Sequence, residues 1–112
     1  MSLSQVPVAA VIGHPINHSK SPQLHNFWLS KFGVNGYYVP LDIDPRNFEK
    51  HIRSLPRLGF VGANVTIPYK EKILKVADKI SDRAAIIGAA NTLTFLSDGK
   101  IYADNTDGYG FI

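Results

Sequence analysis

Apolar residues come along this chain in short blocks separated by polar, turn-forming clusters, and the blocks switch between two periods. Val6 to Ile12 is an almost unbroken apolar run closed by Gly13, the pattern of a parallel strand buried on both faces. Ser21-Pro22 then opens a helical stretch, with Ser21 as N-cap and Pro22 at the first helical position. Leu24, Phe27, Trp28 and Phe32 follow at helical spacing, and Gly33 and Gly36 flank its end. Tyr37 to Leu41 reads as a second strand. Asp44-Pro45 caps a second helix with Phe48, Ile52 and Leu55 on its inner face. Phe60 to Val65 makes a third strand, interrupted by the small Gly62 and Ala63. Pro68 starts a third helix carrying Ile73, Leu74 and Ala77, and Ser81-Asp82 starts a fourth that ends near Gly88. Asn91 to Leu96, the Ser97-Asp98-Gly99-Lys100 turn and Ile101 to Ala103 read as a β-hairpin.

The resulting order, β-α-β-α-β-α-α-β-β, predicts an α/β fold. Its form is a three-layer sandwich whose sheet is mostly parallel with one antiparallel hairpin excursion. There is no internal repeat, low-complexity tract or linker, so residues 1–112 read as one domain. Thr106 to Ile112 resembles the start of a further helix with Asp107 near its cap, so the chain reads as one half of a larger protein.

Composition narrows the function classes. With 112 residues the chain can bury a real core, and its 45% hydrophobic and 19% charged content is ordinary for a globular domain. The net charge of +3 comes from scattered basic residues, which suit solvated faces rather than a nucleic-acid stripe. Cysteine is absent, which removes disulfides and thiolate metal sites and fits a reducing compartment. No apolar run is long enough to span a bilayer, and the N-terminus lacks a signal-peptide pattern, so the cytoplasm is the default. His14 and His18 lie four apart but Pro15 stands between them in a loop, so no metal is expected.

Four segments carry candidate chemistry. In Gly13-His14-Pro15-Ile16-Asn17-His18-Ser19-Lys20-Ser21-Pro22, the Ser19 and Ser21 hydroxyls sit beside a helix start. They either hold an anion such as a carboxylate or serve as ordinary caps. In Asn64-Val65-Thr66-Ile67-Pro68-Tyr69-Lys70, Asn64 and Thr66 alternate with Val65 and can line a crevice. Pro68 would put Lys70 in a first helical turn, unfavourable for a cation and therefore more suited to a working lysine than to a surface one. Asn91, opening the fourth strand after Gly88-Ala89-Ala90, can bond a ligand hydroxyl or simply satisfy local backbone. Asp107, in Asp104-Asn105-Thr106-Asp107-Gly108, is a helix cap, a catalytic carboxylate or both. Gly108-Tyr109-Gly110 lacks the third glycine and the strand-helix context of a dinucleotide fingerprint. A Lys and an Asp in one water-poor crevice can pass a proton to and from a substrate hydroxyl.

Taken together, these segments resemble the shikimate dehydrogenase family from Val8 to Ile112. The carriers are Gly13-His14-Pro15 with His18-Ser19-Lys20-Ser21-Pro22, Gly62-Ala63-Asn64-Val65-Thr66-Ile67-Pro68-Tyr69-Lys70, Gly88-Ala89-Ala90-Asn91-Thr92 and Asn105-Thr106-Asp107-Gly108, in family order. The resemblance implies an N-terminal shikimate-binding domain of an oxidoreductase that reversibly reduces 3-dehydroshikimate with NADPH in aromatic amino-acid biosynthesis. It assigns Ser19 and Ser21 to the substrate carboxylate. Thr66, Lys70, Asn91 and Asp107 fall to the substrate hydroxyls, with Lys70 and Asp107 as the catalytic pair. It also implies that NADP is bound by a C-terminal Rossmann domain absent from this chain, which has no glycine-rich βα turn for a pyrophosphate. The chain alone is then expected to bind substrate weakly without turnover. A quinate-preferring relative and a non-catalytic polyhydroxy-acid binding module are the alternatives, and a homodimer is compatible with all three.

Overall fold

The computed structural model describes residues 8–15 and 37–106. The predicted helix after Ser21 and the helix start at Asp107 lie outside these residues. Among them the elements are β1 (Val8–Gly13), β2 (Tyr37–Asp42), α1 (Phe48–Ser54), β3 (Phe60–Val65), β4 (Lys79–Ile80), α2 (Asp82–Ile87), β5 (Thr92–Phe95) and β6 (Ile101–Asp104). Short 3-10 helices at Pro56–Leu58 and Lys72–Lys75 connect them.

The strands form one mixed sheet in the order β2-β1-β3-β5-β6-β4. β1 runs parallel to both β2 and β3, β4 runs parallel to β6, and β5 alone is reversed between β3 and β6. The antiparallel excursion is thus a single inverted strand. The Ser97-to-Lys100 turn makes it, with Gly99 at φ 87 and Leu96 N–H donating to Lys100 O at 2.9 Å.

Side-chain alternation divides the sheet into two faces. Ala10 and Ile12 of β1, Ala63 and Val65 of β3, Leu93 of β5 and Ala103 of β6 form a buried cluster with Phe48, Ile52, Tyr69, Ile73 and Ala84. Ala9 and Val11 point the other way and are buried as well. A strand dry on both faces is what the middle of a three-layer sandwich requires.

α2 starts and stops where the sequence indicates. Ser81 Oγ accepts from Ala84 N–H at 3.1 Å, and Gly88, at φ 82, closes the helix with its N–H on Ala84 O at 2.8 Å. Only glycine takes that left-handed conformation without strain. α1 begins later than predicted. Asp44 makes a local turn, its Oδ1 accepting from Arg46 N–H at 2.8 Å and from Arg46 Nε at 3.1 Å. The helix then starts at Phe48 behind an uncapped Asn47.

The third predicted helix is a correction. After β3 the chain turns, with a cis Ile67–Pro68 peptide, and its only regular piece is the four-residue 3-10 helix at Lys72–Lys75. Tyr69 is drawn into the core, its ring stacked on Phe48 at 4.2 Å between centroids and its hydroxyl donating to Ile43 O. That anchor takes the segment off an α-helical path. Lys70 consequently lies in a turn ahead of the 3-10 helix, not in a first helical turn, and the dipole argument does not apply to it. β4 was also unforeseen; it is held beside β6 by Asp78 N–H on Ile101 O and Ser81 N–H on Ala103 O, each at 2.9 Å.

Candidate functional site

At one end of the sheet, the C-terminal ends of β1 and β3 lie beside the N-terminal end of β5 and the C-terminal end of β6. Main-chain hydrogen bonds stitch the four together. Thr66 N–H donates to Ile12 O at 2.8 Å and His14 N–H to Ile67 O at 3.2 Å, joining the end of β1 to the turn after β3. Val65 N–H donates to Asn91 O at 2.8 Å, Ala90 N–H to Lys70 O at 2.8 Å, and Asn91 N–H to Asp104 O at 3.0 Å. Thr66, Lys70 and Asn91, which the sequence singles out from separate segments, are thereby brought to one place, each half-buried. Strand ends of an α/β sheet are where ligands bind, because the crevice there is lined by side chains from several elements.

Ser19, Ser21 and Asp107 lie outside the described residues. Thr106, immediately before Asp107, is described and donates its N–H to Asn91 Oδ1 at 3.0 Å; on the side of the two serines the description reaches Pro15.

Thr92, Thr106 and Tyr38, to which the sequence attaches no role, support Asn91 and the crevice-lining Asn64. Thr92 Oγ1 lies 2.9 Å and Thr106 Oγ1 3.2 Å from Asn91 Oδ1. Tyr38 donates from its hydroxyl to Asn64 Oδ1 at 3.2 Å, and Asn64 Nδ2 reaches Asn91 O at 3.4 Å. Burial pushes the Tyr38 phenol up from its ordinary value, so it stays a neutral donor. Tyr38 sits within an apolar run and reads as packing. Only the parallel register of β2 on β1 and of β1 on β3 puts it on the same face as Asn64.

The floor beneath Asn91 is an ion-pair network. Arg83 grips Asp104 with Nε on Oδ1 at 2.8 Å and Nη2 on Oδ2 at 2.7 Å. Ser81 Oγ and Asn105 N–H add bonds to the same carboxylate at 2.6 and 2.7 Å. The Arg83 hydrogen bonds outweigh partial burial and hold the Asp104 carboxyl well below the usual carboxylate range. A group depressed in the folded state stabilises it fully above the unfolded value, near 3.9 for Asp, and that contribution is lost as pH falls toward the folded value. Asp78, bonded by Ile101 N–H, and Asp44, lowered to about 2 chiefly by Arg46, act in the same direction. The resistance of the wild type to urea should therefore fall progressively below about pH 4. Asp104→Asn should be less stable at neutral pH and show a shallower acid dependence; an unchanged acid slope would show that the network contributes nothing.

Among the described residues no group of three or more His, Asp or Glu side chains gathers as a metal site, and no helix is long and apolar enough to cross a membrane. A separate cleft at the end of β2 is lined by Leu41, Asp42, Asp44, His51 and Leu58 and includes none of the candidate site residues.

Comparison with known proteins adds identity to this geometry. Residues 11–93 match the family model described as the shikimate dehydrogenase substrate binding domain. The chain is 59% identical to the shikimate dehydrogenase (NADP(+)) of Roseobacter denitrificans over 112 residues, covering all of this chain and 40% of that protein. A crystal structure of shikimate dehydrogenase in complex with NADP+ superposes with a TM-score of 0.83 at 44% identity, over 96% of this chain and 37% of that one. The Thermus thermophilus enzyme in complex with NADP(H) and shikimate does so with a TM-score of 0.81 at 37% identity, over 95% and 40%. The chain thus spans about two fifths of the length of the curated relatives it matches.

Proposed function

Because the chain belongs to the shikimate dehydrogenase substrate binding domain family, we propose that it is the substrate-holding part of an NADP-dependent dehydrogenase interconverting 3-dehydroshikimate and shikimate. The observation that carries this reading is the main-chain stitching that sets Thr66, Lys70, Asn91 and the approach to Asp107 at one sheet end. Three separate segments converge there with a cation, a hydroxyl and an amide, the groups a polyhydroxy acid needs.

Hydride transfer is the chemistry of a nicotinamide cofactor. The turn after β1, Gly13-His14-Pro15, is no dinucleotide fingerprint, so it does not fit the pyrophosphate of that cofactor. The pyrophosphate belongs to the remaining length that the relatives possess, and the roles assigned here concern substrate alone. Ser19 and Ser21 take the carboxylate. Thr66 and Asn91 bond ring hydroxyls. Lys70 gives a proton to the oxygen as the ketone is reduced and takes it back in the reverse direction, while Asp107 holds Lys70 and the adjacent hydroxyl. The cysteine-free composition suits the cytoplasm.

The test is a graft. This chain replaces the aligned residues of the Roseobacter denitrificans relative, and NADP-dependent oxidation of shikimate is measured with quinate as competing substrate. Turnover of shikimate is expected. A folded graft that binds both shikimate and NADP yet turns over nothing would leave a binding module, and preference for quinate would move the substrate. The 112-residue chain alone should bind shikimate with no turnover above background. In the graft, Ser19→Ala or Ser21→Ala should raise KM, because losing a charge-assisted hydrogen bond costs about 1.5–3 kcal/mol in binding. Unchanged KM for both would return the two serines to helix capping.

A further inference from the structure

Asn91 has an asymmetry that substrate binding alone does not require. A backbone N–H can only donate, so the side-chain atom 3.0 Å from Thr106 N must be the Asn91 oxygen, and the orientation of the carboxamide is settled by chemistry. The same oxygen lies 2.9 Å from Thr92 Oγ1 and 3.2 Å from Thr106 Oγ1, and the two hydroxyls are 3.3 Å apart. Oδ1 is thereby crowded with donors from two elements. Nδ2 has no partner among the described residues. Asn91 itself is half-buried, and Thr92 is 2% exposed, too deep to meet a ligand directly.

We propose that Thr92 and Thr106 are positioning residues that lock the Asn91 carboxamide, Oδ1 inward and Nδ2 toward the crevice, so that Asn91 meets a ligand only as a hydrogen-bond donor. Two consequences follow. The ligand group at that point must be an acceptor, an uncharged hydroxyl or carbonyl oxygen, and a group offering only a donor is rejected because Oδ1 cannot turn to receive it. The lock also ties the donor to the segment entering Asp107, because Thr106 supplies two of the three contacts. Movement of Asn91 and displacement of that segment are then one event. The ligand side of this proposal rests on the function proposed above; the lock itself does not.

The experiment separates the two. In the ligand-free chain, NMR should detect a scalar coupling across the hydrogen bond from the Thr106 amide nitrogen to the Asn91 carboxamide carbon. Its absence in a folded, assigned chain would overturn the lock whether or not shikimate binds. With shikimate titrated in, the Thr92→Val, Thr106→Val double variant should weaken binding about tenfold, whereas Thr92→Ser, Thr106→Ser, which restores both hydroxyls, should stay within about twofold of wild type. Asn91→Asp keeps an oxygen for the three inward contacts and removes the outward donor. It should keep its melting temperature near wild type and weaken binding on the order of tenfold to a hundredfold. A valine pair that binds like wild type would overturn the role of the two hydroxyls, and an aspartate variant that does would overturn the donor assignment. Failure of the wild type to bind shikimate while the coupling is present would instead sink the proposed function.

Discussion

Lys70→Met, in the graft that carries this chain on a relative's nucleotide-binding part, should lower kcat by about 10²–10⁴-fold with a much smaller change in KM. The reason lies in when the Lys70 charge is needed. A ketone oxygen accepts little proton density in the ground state and a great deal as hydride arrives, so a proton donor acts mainly in the transition state. Methionine keeps the apolar stem and removes the cation, which separates charge from packing. The turn that holds Lys70 survives the change, since its main chain is fixed by Lys70 O accepting from Ala90 N–H at 2.8 Å. Asp107→Asn should also lower kcat. The double variant should cost less than the product of the single effects, because groups that act as a unit are not additive. If Lys70→Met mainly raised KM, Lys70 would bind substrate only, and the proton would have to come from Asp107 or water.

What could be read from the sequence, and what could not, follows the length of the signal. β1 is an almost unbroken apolar run, β3 is an apolar run interrupted by the small Gly62 and Ala63 and the polar Asn64, and α2 carries both a start residue, Ser81, and a stop residue, Gly88, so their limits were legible. β5 and β6 were legible through the Asp98-Gly99 turn. The Ile73, Leu74 and Ala77 spacing fits an α-helix and a 3-10 turn equally over so few residues. Local pattern held no sign that Tyr69 would be pulled under Phe48. β4 has two residues and no readable alternation; its existence is dictated by β6. At the site, motif order pointed to Thr66, Lys70 and Asn91, and the sheet brings them together. The orientation of the Asn91 amide was not legible, because its deciding partner, Thr106, is fifteen residues away in sequence and reaches it only once β5 and β6 pair. Ser19, Ser21 and Asp107 rest on motif resemblance, and of their immediate neighbours only Thr106 is described.

Tyr69→Ala should destabilise the chain by about 3–5 kcal/mol, as expected for removing a large buried aromatic side chain. Domains of this kind have about 5–15 kcal/mol in all, so the loss takes a large share of what the chain has. Tyr69 is 1% exposed. Its ring stacks on Phe48 of α1, the Lys72 ammonium lies 6.0 Å from its centroid, and its hydroxyl donates to Ile43 O just beyond β2. It therefore ties α1, the end of β2 and the turn after β3 at one point. Tyr69→Phe keeps the ring and removes only the donor, so it should cost about 1–3 kcal/mol. Because Lys70 is the next residue, the two variants should also separate in catalysis. In the graft, Tyr69→Phe should keep kcat within a few-fold of wild type. Tyr69→Ala, assayed below its unfolding temperature, should lose kcat because the turn that aims Lys70 has lost its anchor in the core. Urea unfolding of the chain and steady-state kinetics of the graft measure the two halves. A Tyr69→Ala variant with wild-type stability would mean that the core closes over the gap, and wild-type kcat in that variant would show that Lys70 is held by its backbone bond to Ala90 alone.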